Sequence, residues 1–310
     1  MNEAKIVAIM GPTASGKTAA AVAIADQLPV QVISVDSALI YKEMEIGTSK
    51  PDKNTLRDVP HKLINLCEPT SNYSVGRFRK DALYEIKRSF EQKKTPLLVG
   101  GTMLYFNALF NGLAKLPTGD SAIRLQLEKE IQAMGLPALY QRLKTIDSIA
   151  AHKIMPSDPQ RIMRALEVYQ LSGVPISTWW HQQSDKFPYK VLKIAISPTD
   201  RTLLHARIAQ RFQAMVDQGL ENELVQLREK YDLHQDMPSM RCVGYRQMWE
   251  YIEGISTHQE MIQKGIVATR QLAKRQLTWL RKDQELVWVD SSKDDYVDEI
   301  RCLVENYLKS

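Results

Sequence analysis

Ile6 to Met10 (IVAIM) is an unbroken apolar run that stops at Gly11, and an alanine-rich stretch from Thr18 to Leu28 follows it up to Pro29. A short apolar run bounded by glycine predicts a buried strand, and good helix formers ahead of a proline predict a helix. Gln31 to Asp36 (QVISVD) is β-branched and predicts a second strand, and Pro96 to Val99, ahead of Gly100 and Gly101, predicts a third. Val75 to Lys94 between them has a helical pattern of charged and apolar residues. Val191 to Ser197 (VLKIAIS) and Glu285 to Asp290 (ELVWVD) predict later strands of the same sheet. Strands alternating with helices point to parallel βαβ units, so the expected class is α/β, a doubly wound parallel sheet flanked by helices.

From about Asp120 to Asp185 no strand pattern occurs. Ile123 to Met134, Pro137 to Leu143 and Pro159 to Ser172 have helical periodicity, punctuated by Pro156, Pro159, Gly173 and Pro175. This predicts an all-helical insertion over 120–185 in a core formed by 1–119 and 186–310.

The chain has 310 residues, of which 44% are hydrophobic and 25% charged, enough to bury a core and unlike a disordered or fibrous sequence. Its longest nearly apolar stretches, such as Met103 to Phe110, fall short of the roughly 18–20 residues that span a bilayer. No membrane association is expected, and the N-terminal run reads as a strand rather than a signal peptide. Cys67, Cys242 and Cys302 are odd in number and widely spaced, which suits reduced thiols. A cytoplasmic monomer is the expectation.

Charge is unevenly distributed. Between Arg241 and Lys282 eight lysines and arginines face three glutamates, a surplus of five that equals the +5 of the whole chain. Tyr245, Trp249, Tyr251 and Trp279 lie among them. Basic residues interleaved with aromatics fit a polyanion surface with stacking platforms, and fit equally a solvated amphipathic helix whose aromatics are core.

Gly11-Pro12-Thr13-Ala14-Ser15-Gly16-Lys17-Thr18 satisfies GxxxxGK[ST] in full, between a predicted strand and a predicted helix. Such a loop wraps backbone N–H groups around phosphate oxygens, and the helix that follows adds its positive end. Lys17 supplies a point charge, and Thr18 offers a hydroxyl to Mg²⁺. The motif makes the expected sheet P-loop NTPase-like, calls for a di- or triphosphate and leaves the reaction open. The strand ending at Val99 leads into Gly100-Gly101-Thr102 rather than the carboxylate of a Walker-B strand. Thr102 therefore offers a neutral hydroxyl to a diphosphate oxygen or caps a tight turn. Asp36, at a strand end that should line the ligand crevice, would hold Mg²⁺, accept a proton from a nucleophile, or cap a turn. Arg207 and Arg211, four residues apart on one helical face, would close over the phosphates or form a solvated face neutralised by Glu221 and Glu223.

GPTASGKT at 11–18, DSALIYKEMEIGTSKP at 36–51, LLVGGTMLYFNALFNGL at 97–113, DPQRIMRALEVY at 158–169, MRCVGYRQMWEY at 240–251 and ATRQLAKRQLTWLR at 268–281 closely resemble the bacterial tRNA dimethylallyltransferase family, in the family's order and over nearly the whole chain. The resemblance implies transfer of a dimethylallyl group from its diphosphate to N6 of adenosine 37 in the anticodon stem-loop of tRNAs reading codons that begin with U, with Mg²⁺ as cofactor. It implies that Gly11 to Thr18 bind the diphosphate and that Thr102 binds its bridging or leaving oxygen. Asp36 becomes the general base or acceptor for N6, with Ser37, Ala38 and Leu39 beside the flipped base. The family often has Gln in place of Leu39, which offers the base no side-chain hydrogen bond. RNA contacts are implied for Arg124; for Gln160, Arg161, Ile162, Met163 and Arg164; and for Arg241, Cys242, Val243, Gly244, Tyr245 and Arg246. They are implied also for Lys274, Arg275, Gln276, Leu277, Thr278, Trp279, Leu280 and Arg281. Two other readings use the same features: a small-molecule P-loop kinase, built on Asp36 and the Arg207/Arg211 pair, and a non-catalytic RNA-binding module with a nucleotide switch.

Overall fold

The computed structural model describes residues 4–180 and 187–310, which fall into two compact units, Met1–Leu109 with Pro188–Ser310, and Phe110–Phe187. In the first unit the order is β1 (Lys5–Met10), α1 (Lys17–Gln27), β2 (Val30–Ser34), α2 (Lys53–Asp58), β3 (His61–Lys62), α3 (Val75–Glu91), β4 (Thr95–Gly100) and α4 (Met103–Asn111), which runs into the second unit. The second continues with α5 (Ser121–Met134), α6 (Leu136–Ile146), α7 (Ser148–Lys153), α8 (Pro159–Ser172) and α9 (Ile176–Trp179). The chain then returns with β5 (Lys190–Ser197), α10 (Arg201–Asp217), α11 (Leu220–Lys230), α12 (Tyr245–Ile252), α13 (His258–Leu280), β6 (Val287–Asp290) and α14 (Tyr296–Lys309).

Among the described residues the strands form one parallel sheet in the order β3-β2-β4-β1-β5-β6. The central strands are apolar throughout because both faces are covered. Val7, Ile9, Leu97, Val99, Ile194 and Ile196 pack with Ala20, Ala21 and Ile24 of α1 and Ile300 and Val304 of α14. The alternate residues Ile6, Ala8, Leu98 and Ala195 are fully buried as well. Helix α3 starts at Ser74, whose hydroxyl accepts from the Arg77 N–H, and buries Phe78, Ala82 and Ile86 at four-residue spacing.

The five expected strands all form, with end differences that matter at one place. β2 ends at Ser34 rather than Asp36, although the Val35 N–H still donates to the Val99 carbonyl at 2.8 Å. Asp36 therefore stands just beyond the ladder. The structure adds β3, whose two residues are too few to carry a period, and α2, capped by Asp52.

The helical unit has its own core of Leu127, Leu139, Leu143, Ala150, Ile162, Ala165, Leu166 and Val168. It begins ahead of Asp120, and the expected limit at 185 lies outside the described residues. Ile162, expected at the RNA, belongs to this core and is fully buried. Glu167, also buried, accepts from Arg124 Nε at 2.8 Å, Arg164 Nη1 at 2.6 Å and the Asp120 N–H at 2.8 Å. Burial alone would raise its carboxyl, but the hydrogen bonds from Arg164 and Arg124 outweigh this and hold it low. Arg124 and Arg164 thus serve first as partners of a buried carboxylate. Gln160 and Arg161 are exposed, with Met163 half-buried.

Candidate active site

The carboxyl ends of β1, β2 and β4 open into a cavity of about 560 Å³ in the α/β unit, roofed by residues of α10 and α13. Thr13, Lys17, Thr18, Asp36 to Leu39, Thr102, Arg211, Arg241 to Val243, Arg275, Gln276 and Trp279 all line it.

The phosphate loop follows β1 directly. Gly16 sits at φ +90°, a left-handed conformation that a side chain resists, and serves as the N-cap of α1 without offering a capping group. The helix's ladder starts with the Ala20 N–H on the Gly16 carbonyl at 3.1 Å, so the N–H groups of the first turn have no acceptor within the helix. That arrangement suits an anion. Ser15 is buried, and Lys17 folds back so that its Nζ donates to the Pro12 carbonyl and the Ser15 hydroxyl. Burial first, and then the Arg211 cation, lower the Lys17 ammonium against the opposing Asp36 carboxylate, to about 7. Arg211 is itself depressed by burial against a favourable field from Asp36, and its Nε donates to Ser49 Oγ at 2.9 Å. Two cations that are costly to bury thus share a cavity with one carboxylate, a charge deficit that an anionic ligand fills.

The expected arginine pair divides. Arg207 does not line the cavity; it donates to the Ser291 carbonyl at 2.9 Å and Ser291 Oγ at 3.3 Å. Residues four apart share a helix face, yet one turn of rise sends them to different loops. Glu223 does not neutralise the pair. It is buried and accepts from the N–H groups of Glu45, Ile46 and Gly47 at 2.7–3.0 Å and from Tyr245 Oη at 2.6 Å. It thereby shapes the loop that carries Thr48 and Ser49 into the cavity wall.

Just beyond β2, Asp36 Oδ1 accepts from the Ala38 N–H at 2.8 Å and the Leu39 N–H at 3.4 Å. The turn-capping role and a ligand role coexist, because one oxygen is committed to the turn and the other is left for a ligand. Thr102 Oγ1 accepts from the Ser37 N–H at 3.0 Å and donates to Ser37 Oγ at 3.3 Å, so the two strand-end loops are joined. Gly100 is required by the protein itself, since a Cβ there would collide with the Val35 carbonyl.

Of the residues expected at the RNA, Arg241, Cys242, Val243, Arg275 and Trp279 line the cavity. Arg246, Lys274, Thr278 and Arg281 are exposed, and Arg246 is ion-paired with Glu250 at 3.5 Å. Burial, with a contribution from Asp36, pushes the Cys242 thiol up to about 12 and makes it a poor nucleophile. Tyr245 and Leu280 are core residues and Gly244 is the buried N-cap of α12. Gln276 is bonded to protein on both sides of its amide, to the Thr13 N–H and the Gly101 carbonyl. Glu223 carried no local signal of this role, because an acid among acids reads as surface, whereas Gln276, expected at the RNA, instead turns its amide to two loops of the protein.

The site also bears on Mg²⁺. Thr18 presents an exposed side chain on the cavity wall, and among the described residues no group of three or more His, Cys, Asp or Glu could hold a metal. A Mg²⁺ that keeps its waters and takes oxygens from a substrate diphosphate needs no such cage, so a single hydroxyl fits it.

The family model described as IPP transferase matches residues 39–283. The solved structure of full-length tRNA isopentenylpyrophosphate transferase from Bacillus halodurans is similar at 35% identity, covering 98% of this chain and 97% of that one, with a TM-score of 0.72. A tRNA delta(2)-isopentenylpyrophosphate transferase from Staphylococcus epidermidis is similar at 28% identity over 98% of this chain and 100% of its own, with a TM-score of 0.70. A eukaryotic dimethylallyltransferase acting on tRNA shares the fold at a TM-score of 0.84 and 23% identity, covering 99% of this chain and 80% of that one. With the greater part of its length inside the family model and a relative matched almost end to end, the chain belongs to the IPP transferase family.

Proposed function

We infer that the protein is a tRNA dimethylallyltransferase, transferring the dimethylallyl group of dimethylallyl diphosphate to N6 of adenosine 37, next to the anticodon, in tRNAs that read codons beginning with U. The observation that carries the site assignment is the placement of Lys17 and Arg211, two half-buried cations, in one cavity with Asp36.

In the reaction the allylic C1–O bond breaks with its electron pair leaving on the diphosphate, the N6 lone pair forms the new N–C bond, and N6 loses one proton. An aromatic amine is a weak nucleophile, so the rate depends on stabilising the leaving group, aligning N6 and keeping water from an allylic carbon with cation character. Lys17, Arg211 and the N–H groups at the start of α1 receive the departing charge. Thr18 would hold Mg²⁺, which when bound supplies further neutralisation of the diphosphate. Asp36 accepts the N6 proton during or after attack and orients the amine by the same hydrogen bond. Ser37, Ala38 and Leu39 form a short wall beside the base, and Leu39 contributes apolar contact only. The base must leave its stack to enter, and Trp279 and Val243 offer it surface in exchange. Arg241, Lys274, Arg275 and Arg281 supply charge to the RNA backbone. A kinase reading is disfavoured: β4 ends in Gly100-Gly101-Thr102, Arg207 does not reach the cavity, and the family relationship is to prenyl transfer.

Purified protein with Mg²⁺, dimethylallyl diphosphate labelled in the allyl group and unmodified tRNA should yield label at adenosine 37. Label that stays with the donor, alongside phosphate transfer from ATP to a small acceptor, would replace this reading with the kinase.

A further inference from the structure

Helix α13 carries two kinds of side chain next to one another. Lys274, Arg275 and Trp279 are exposed, whereas Gln276 is buried, and its amide reaches two separate loops. Oε1 accepts from the Thr13 N–H at 2.9 Å, and Nε2 donates to the Gly101 carbonyl at 2.8 Å. The Gln276 amide nitrogen lies so close over Gly101 that a Cβ there would displace it. Thr13 belongs to the phosphate loop, and Gly101 precedes Thr102. One amide therefore fastens the helix that bears the cationic face to both loops that bound the diphosphate end of the cavity.

We propose that Gln276 is a positioning residue that couples RNA binding on α13 to the diphosphate cradle. This rests on the reading of the cradle given above. RNA held by Lys274 and Arg275 restrains the helix; Gln276 passes that restraint to Thr13 and Gly101, and the loops then bind diphosphate with less ordering left to do. A cradle made of backbone N–H groups is sensitive to such restraint, since its affinity depends on their orientation. The coupling is reciprocal, so diphosphate tightens RNA by the same factor.

The test is calorimetric titration of the full chain with inorganic diphosphate and Mg²⁺, with and without an unmodified anticodon stem-loop RNA. For the native chain the RNA is expected to raise diphosphate affinity about fivefold or more. In Gln276→Ala and Gln276→Met the enhancement disappears while the affinity for RNA alone stays within about twofold of native. Gln276→Met keeps most of the volume, so it carries the test if thermal unfolding shows the alanine variant to be misfolded. An enhancement that persists in folded Gln276→Met overturns the proposal, as does a loss of RNA affinity matching that of Arg275→Ala, which would make Gln276 a direct RNA contact. Diphosphate binding to the native chain that ignores RNA overturns this inference alone. Failure of the native chain to bind diphosphate at all overturns the reading of the cradle.

Discussion

Two sets of cations behave differently in this molecule. In the helical unit Arg124 and Arg164 converge on Glu167, and Arg164 also donates to the Pro117 carbonyl at 2.7 Å, so their charge is spent within the fold. In the α/β unit burial lowers both Lys17 and Arg211, and the Arg211 cation lowers Lys17 further. Among the described residues lining their cavity the one carboxylate is Asp36, and the two cations bond to the Pro12 carbonyl and to serine hydroxyls. Both sets read alike in the sequence, as basic residues awaiting a polyanion. What separates a binding charge from a structural one is whether the fold supplies a counter-charge. Where it does, removing a partner costs stability; where it does not, removing the cation costs function.

This contrast can be broken at several points. Asp36→Ala should slow single-turnover transfer by about 10²–10⁴, as expected for loss of a proton acceptor, while affinity for tRNA stays near native. Parallel loss of RNA affinity would move Asp36 out of the chemistry. Lys17→Met should slow transfer by about 10²–10³ and weaken diphosphate binding without lowering the melting temperature, because no internal ion pair is lost. Its ammonium, held at about 7, is charged below that pH and neutral above it, so the native advantage over Lys17→Met for inorganic diphosphate should shrink as pH rises through about 7. The same depression from 10.5 makes the unfolded chain bind the extra proton between these values, so this group's contribution to stability rises with pH across that window. An advantage independent of pH would show Lys17 to be charged throughout.

On the structural side, Glu167→Ala should destabilise the helical unit by about 3 kcal/mol, read by chemical denaturation, since it strands two arginines and the Asp120 N–H. A change within about 0.5 kcal/mol would mean that water replaces the carboxylate. The smallest effect is expected at Arg275, exposed on the cavity rim. Arg275→Ala should weaken tRNA binding and reduce the slope of log affinity against log salt by about one unit, and an unchanged slope would exclude a phosphate contact there.

Much of the fold was legible because its signals are local. A buried parallel strand must be apolar on both faces, so β1, β4 and β5 could be read as short runs, and the phosphate loop states its own chemistry through glycine, lysine and threonine at fixed spacing. β3 was invisible because two residues carry no period. The family motifs named contiguous stretches as RNA contacts, but a stretch longer than one helical turn always includes residues that face inward. Ile162, Tyr245 and Leu280 are such residues, and they pack in the core.

The sequence by itself determined the parallel α/β class, the cradle and its strand-end carboxylate, since each follows from residues adjacent in the chain. Tertiary structure alone decided that Arg211 reaches the cavity while Arg207 turns to Ser291, that Glu223 holds the 45–47 loop, and that Gln276 braces two loops it lies 175 and 263 residues from. Those outcomes depend on which distant backbone groups come within hydrogen-bond reach, and no local pattern of side chains encodes that.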